Sequence, residues 1–208
     1  MGKSDSKYDM TTINEKYKEK CNTPSDINKL LPILKKYAEG CNHITELGTG
    51  GVISTWALLA GKPKRLVTYD IIYRPDIVGA EIAAKKAGID FEFRKEDVFD
   101  TEIEETDLLF VDTYHHYNQL IQELRLHSNK VNKYIIMHDT TTYGKKNEKM
   151  AEDCIEGLQK MGKDLNKFDT LFKKGLMRAI RDFLKENKHW KIGKRVLKNN
   201  GLTILLRT

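Results

Sequence analysis

From Asn42 to Arg207 the chain alternates short apolar or β-branched runs with stretches of helical period. The runs are HITEL from His43, RLVTYDI from Arg65, DFEFRKEDV from Asp90, DLLFVDT from Asp107 and KYIIMHDT from Lys133. Between them lie STWALLAG, GAEIAAKKAG and HYNQLIQELRLHS, whose apolar residues recur at helical spacing. Strands that alternate with helices imply right-handed crossovers, hence an α/β fold with a mostly parallel sheet covered on both faces.

After Asp139 the rhythm changes. The segment from about Thr140 to Gly175 is a polar loop, a charged helix and another loop, longer than a plain connection requires, which predicts a substrate-facing flap hinged at Gly144, Gly162 and Gly175. A helix from Leu176 to Glu186 is expected next. Two apolar runs then flank Asn199-Asn200-Gly201, a hairpin signal that sets the last strand antiparallel to its neighbour. Upstream, residues 1–40 read as a helical lead or cap and 41–208 as the main domain. The first twenty residues show no clean period and predict a flexible or loosely helical lead, which with the flap would exclude water from the site. TPSDINKLLPILKKYAEG predicts a helix with Thr23 as N-cap, Pro24 at its first position, Asp26 closing a capping box and Gly40 past its end. Pro32 should kink that helix or begin a second short one.

Composition narrows the class. In 208 residues, 39% hydrophobic and 9% aromatic content is that of a globular chain able to bury a core. No apolar run approaches the roughly 18 residues of a membrane span, and the opening MGKSDSKYDM is polar, so the expected location is cytoplasmic, with no membrane partner. Gly2 followed by Ser satisfies the short myristoylation pattern, a match too brief to carry function. Cys21, Cys41 and Cys154 have neither disulfide-framework nor zinc-finger spacing and read as free thiols. The formal charge of +6 is uneven: residues 145–208 hold 17 Lys and Arg against 8 Asp and Glu, whereas 41–144 hold 11 against 16. A basic flank can steer an anionic partner such as nucleic acid or a phosphorylated metabolite, or can be a solvated helix surface.

In an open parallel sheet ligands bind beyond the carboxyl ends of the strands. The residues closing the five runs are Glu46, Asp70, Asp97, Asp112 and Asp139. One acid after a strand is commonly a helix N-cap; five in succession are not explained by packing. The loop after the first strand, ELGTGG, places three glycines within four residues where backbone must turn sharply or admit a ligand. It departs from the dinucleotide fingerprint, because the sixth place counted from Gly48 is Ile53, and no Gly-Lys-Ser/Thr follows to make a P-loop. Asp70 stands twenty residues past Gly50 at the end of the next strand, where a carboxylate can accept both ribose hydroxyls, so the ligand reads as an adenosine without phosphates.

ELGTGG, followed by TYD and EDVFD, resembles the first three motifs of class I S-adenosylmethionine-dependent methyltransferases. FVDTYHHYNQLIQEL, IIMHDTTTYG and the carboxyl-terminal helix and hairpin are similar to the branch containing cephalosporin-hydroxylase-like and rhamnosyl O-methyltransferase-like proteins. The resemblance spans about Asn42 to Arg207. It implies a Rossmann-like, doubly wound, mostly parallel seven-stranded sheet with an antiparallel last strand, and S-adenosylmethionine as cofactor. By it, Glu46 and the backbone of Gly48 and Gly50 would hold the methionine portion, Asp70 the ribose, and Asp97 with the Val98 backbone the adenine edge, with Asp112 beside the donor.

Methyl transfer is an in-line displacement, in which the protein aligns a nucleophile and removes its proton. Asp112, His115, His116, His138 and Asp139 are the candidates; His115 matches the family's histidine. Asp112 and Asp139 end adjacent strands, and an oxygen cluster of that kind suits Mg²⁺ or another divalent cation that lowers a hydroxyl's pKa. His138 stands where close relatives carry a carboxylate, which shifts the preference toward a transition metal. Trp56 reads as core; Tyr114 and Tyr143 as flanks for an acceptor. The expected activity is O-methylation of a small-molecule hydroxyl of a sugar, polyol or phenol, with room for a homo-oligomer. The alternatives are a nucleic-acid methyltransferase, which the missing Asn/Asp-Pro-Pro-Tyr-type motif disfavours, and a non-catalytic adenosyl-ligand-binding protein.

Overall fold

Each central strand divides its side chains between two cores, because successive residues of an extended chain face opposite ways. In the computed structural model, which describes residues 11–149 and 174–208, these strands form one seven-stranded sheet ordered β3-β2-β1-β4-β5-β7-β6. Along the chain come α1 (Thr11–Asn22), a 3₁₀ turn Asn28–Leu30, α2 (Leu31–Ala38), β1 (His43–Leu47), α3 (Ile53–Ala60), β2 (Arg65–Tyr69), α4 (Asp76–Lys86) and β3 (Asp90–Arg94). They are followed by β4 (Thr106–Val111), α5 (Tyr117–His127), β5 (Val131–His138), α6 (Gly175–Glu186), β6 (Trp190–Val196) and β7 (Leu202–Arg207). Strands β1 to β5 pair parallel, and β7 runs antiparallel between β5 and β6. The seven strands, the antiparallel last strand and the helical layers agree with the expected architecture.

Leu108 and Phe110 of β4 face a core shared with α1 to α4, whereas Leu109 and Val111 face one shared with α5 and α6. Ile136, between Ile135 and Met137, divides β5 in the same way. Asn199 and Asn200 both take positive φ (50° and 63°), the backbone of a type I′ turn, so the hairpin forms where its sequence predicts. Gly201 follows at φ +94°, and a Cβ there would overlap Thr141 of the turn after β5.

The amino-terminal segment differs from expectation. Thr11–Asn22 is a regular helix that presents Ile13, Tyr17 and Cys21, spaced by four, to the core around α3. The helix predicted from Thr23 begins instead at Leu31. Thr23 closes α1, its hydroxyl donating to the Glu19 carbonyl at 2.9 Å, and Ser25 Oγ accepts from the Asn28 amide at 3.0 Å to start the 3₁₀ turn. Asp26 closes no capping box. Pro32 falls in the first turn of α2, where its missing N–H costs nothing, so it begins a short second helix. Cys21 and Cys41 are free thiols, and Cys154 lies outside the described residues. Among the described residues no helix is long and apolar enough to cross a membrane.

Ile13 is fully buried, so Ile13→Ala should remove about 2–4 kcal/mol of stability, read by urea denaturation. An unchanged midpoint would show that α1 does not contribute to the core.

Candidate active site

The sheet reverses its strand order between β1 and β4, and at that switch point the carboxyl ends of the strands part to leave a cleft of about 560 Å³. Gly48 sits at its floor with φ +86°, and a Cβ there would overlap the carbonyl of Asp112, so only glycine lets the loop cross so close to the end of β4. Asp70, following β2, accepts from the amides of Thr49 (3.1 Å) and Gly50 (2.9 Å) through one oxygen and from Ile72 (2.9 Å) through the other. The loop is thereby fixed with its glycine backbone and the Asp70 carboxylate on the cleft. Asp97, Val98 and Asp112 also line it, as do Tyr114 and Glu148.

Glu46 does not line this cleft, contrary to the role given it by family resemblance. It is wholly buried, and its oxygens accept from Ser54 Oγ (2.6 Å) and Thr55 Oγ1 (2.7 Å), anchoring the first turn of α3 to β1. Burial raises its pKa to about 7 against those hydroxyl bonds.

Beside the cleft, four side chains from the ends of β4 and β5 meet. His115 Nε2 lies 2.8 Å from Asp139 Oδ2 and 3.4 Å from Asp112 Oδ1; His138 Nδ1 lies 3.0 Å and 3.3 Å from the same two oxygens. Burial opposes charge on both rings, but the bonds to Asp112 and Asp139 outweigh it and push each imidazole up to about 10. The two carboxylates, Asp139 buried and Asp112 half-buried, are held below their usual range by the same bonds. Asp139 adopts φ +58°, a left-handed backbone that costs a non-glycine residue about 1–3 kcal/mol and is found where the surroundings impose it. Its Oδ1 is buried without a hydrogen-bond partner among the described residues.

Three further residues complete this centre. Glu148 Oε2 lies 2.8 Å from His115 Nδ1, and Tyr143 stacks on the His115 ring at 4.8 Å. Asp26 joins His138 and Asp139 in one group of ligand atoms within 4.8 Å of one another, and Asp112, His115 and Asp139 form a second. A smaller cleft of about 230 Å³, lined in part by Asp26, Ile27, His115 and Asp139, adjoins the larger one through Gly48, Gly50 and Asp112. His116 is placed apart from this chemistry. It is buried, caps α5 by accepting from the Asn118 amide at 3.3 Å, and lies 2.9 Å from the Asn147 amide nitrogen. Trp56 is in the core, as expected.

Glu148 and Asp26 are site residues that sequence reasoning did not assign. Asp26 was legible only as a helix cap, and no local pattern ties Glu148 to a histidine 33 positions earlier. The described ends of the expected flap, 140–149 and 174–175, include Glu148; its remainder lies outside the described residues. Helix α1 packs on α3, and from the segment after it Asp26 and Ile27 reach the smaller cleft.

No family model and no curated protein sequence matches the chain. Solved structures do. An SAH-bound methyltransferase of Podospora anserina is 16% identical with a TM-score of 0.56, over 95% of this chain and 88% of that one. Magnesium protoporphyrin IX methyltransferase from Synechocystis PCC 6803, with bound SAH, is 14% identical at TM-score 0.57, over 97% of both chains. An O-methyltransferase from Bacillus cereus in complex with SAH is 16% identical at TM-score 0.53, over 100% of this chain and 93% of that one. At such identities the likeness is one of fold: this chain has the fold of these methyltransferases.

Glu46 yields a pH signature. A buried carboxyl raised from about 4.5 to about 7 binds its proton more tightly folded than unfolded, so its stabilising contribution is complete below the unfolded value and is lost as pH rises toward 7. Between pH 5 and pH 8 the native protein should lose up to about 3 kcal/mol more urea-measured stability than Glu46→Gln. Parallel profiles for the two proteins would show that Glu46 ionises normally.

Proposed function

We propose that this chain is an S-adenosylmethionine-dependent methyltransferase acting on a small-molecule hydroxyl. The observation that carries this reading is the adjacency of the two clefts, which share a wall. A glycine-floored cavity lined by Asp70, Asp97, Val98 and Asp112 shares Gly48, Gly50 and Asp112 with a smaller one lined by His115 and Asp139. The larger cleft has the size and the order of groups to hold the donor, with Asp70 toward the ribose and Asp97 with Val98 toward the adenine. An acceptor held in the smaller cleft would have its hydroxyl against His115.

In this reaction His115 takes the hydroxyl proton and the oxygen lone pair attacks the methyl carbon. The carbon–sulfur bond breaks, its electrons stay on sulfur, and the sulfonium becomes a neutral thioether. The imidazole must enter this step uncharged, whereas Asp112 and Asp139 together hold it protonated. It serves as base once those carboxylates have another partner. The residues fit a divalent cation: Asp139 offers a buried oxygen with no hydrogen-bond partner among the described residues, and Asp112 Oδ1 and His138 Nδ1 lie close by, leaving His115 Nε2 for the proton. A cation held by Asp112 and Asp139 would supply that neutralisation and polarise the acceptor oxygen. A nitrogen donor such as His138 Nδ1 beside two carboxylates suits a transition ion better than Mg²⁺, which prefers oxygen alone. Glu148, facing Nδ1 of His115, orients the ring for proton transfer.

Calorimetry should show saturable binding of SAH, the demethylated product of the donor. Asp70→Ala should weaken it by about 10- to 100-fold, since that change also frees the amides of Thr49 and Gly50. His115→Gln should leave SAH affinity within about twofold while lowering transfer to a catechol or sugar acceptor by about 100-fold or more. No SAH binding to the intact protein would overturn the reading.

For the cation, electron paramagnetic resonance of added Mn²⁺ should report a bound ion that Asp139→Asn releases and that excess Mg²⁺ displaces poorly. Identical spectra with and without protein would remove the metal from the mechanism.

A further inference from the structure

A second cleft, of about 510 Å³, lies between the turn that follows β5, the first turns of α6 and the end of β6. Lys145, Lys174, Arg178, Arg181 and Arg195 line it, and among the described residues no carboxylate does. Two of these cations are engaged elsewhere: Arg178 pairs with Asp182 at 2.7 Å, and Lys174 Nζ sits 4.9 Å from the Tyr117 ring centroid. Lys145, Arg181 and Arg195 are exposed and have no ion pair or hydrogen bond among the described residues.

We propose that this cleft is a binding site for a phosphorylated ligand, and, resting on the methyltransferase reading, that the ligand's phosphoryl group is carried by the methyl acceptor. Cations gathered around a concavity raise its potential together, so an anion entering it gains from several at once and relieves their mutual repulsion. Two planar guanidinium groups, Arg181 and Arg195, offer paired N–H donors of the kind that grip tetrahedral oxyanions. The volume lies within the range of pockets that enclose a small molecule. Among the described residues no aromatic side chain lines the cleft to give nucleic-acid bases a stacking platform, which favours a small phosphorylated compound over a nucleic-acid strand.

The cleft also stands beside the reactive centre in the chain. Thr140 and Gly144, in its wall, belong to the same turn as Asp139 and as Tyr143, whose ring covers His115. That turn is closed by the Tyr143 amide donating to the Asp139 carbonyl at 3.0 Å and is pinned to the β6–β7 hairpin by the Thr141 amide donating to Asn200 at 2.8 Å. One short rigid turn therefore carries a reactive carboxylate and a wall of the anion cleft. None of these five cations lines the donor cleft.

The test is calorimetric titration of the whole protein with inorganic pyrophosphate at physiological ionic strength, alongside SAH titrated into the same preparations. Saturable pyrophosphate binding is expected, weakened at least about tenfold in Arg181→Ala/Arg195→Ala and in Lys145→Ala/Arg195→Ala, with SAH affinity unchanged in both. Arg181, Arg195 and Lys145 are exposed, so folding should survive, and retained SAH affinity verifies it. No saturation by pyrophosphate, or undiminished binding in both variants, overturns the proposal. Pyrophosphate binding without SAH binding upholds the anion site while the methyltransferase reading fails. A short uridine oligonucleotide that binds and is displaced by pyrophosphate supports the site; one that binds where pyrophosphate does not would make the cleft a nucleic-acid track and overturn it.

Discussion

The approach of Gly48 to the backbone of Asp112 is the constraint on which the site is built. Strands β1 and β4 are neighbours, and the loop leaving β1 must cross the end of β4 before α3 begins. Any side chain at Gly48 would displace one strand end from the other and close the cleft between them. Two carboxylates then hold the loop from opposite sides of the sheet's edge. Asp70 gathers the amides of Thr49 and Gly50 from outside, and Glu46 receives the hydroxyls of Ser54 and Thr55 from within. The glycines permit the path and the acids fix it.

The second organising feature is a compact balance of charge. Two imidazoles and two carboxylates share contacts at 2.8–3.4 Å, so each stabilises the charge of the others although all are removed from most solvent. Burying such groups singly would be costly, and together they also accommodate the left-handed backbone at Asp139. The cluster draws on distant parts of the chain. His138 Nε2 lies 3.2 Å from the Asn199 carbonyl, Asn199 Nδ2 donates to the Ser25 carbonyl at 2.8 Å, and Glu148 reaches His115 from the connector after β5. The hairpin turn thus ties the amino-terminal segment to the reactive centre.

Charge elsewhere is segregated with similar economy. Acids at the mouths of β2, β3 and β4 face the larger cleft, while the cations of α6 and β6 surround a separate concavity. Arg65 and Arg94 interlace with Glu92 and Glu104 along the edge formed by β2 and β3, so the positive charge of that edge is neutralised locally. The imbalance visible along the chain therefore reflects the carboxyl-terminal third.

What the sequence determined by itself was whatever depends on neighbours along the chain. The strand runs, the order of helices, the Asn199-Asn200-Gly201 turn and the glycine loop follow from period, propensity and backbone freedom, and each was legible in its residues. The α1 helix did not stand out, because Ile13, Tyr17 and Cys21 at intervals of four make too narrow a stripe among polar neighbours. Tertiary structure decided the assignments that depend on which partners a side chain meets. It turned Glu46 from a ligand group into an internal anchor, made His116 a helix cap, and moved Thr23 from the start of one helix to the end of another. It also brought Glu148 and Asp26 to His115, His138 and Asp139, and gathered five cations from three elements around one cleft. Those outcomes are set by the energy of burial and pairing across the fold, which acts between atoms close in space whatever their separation in sequence.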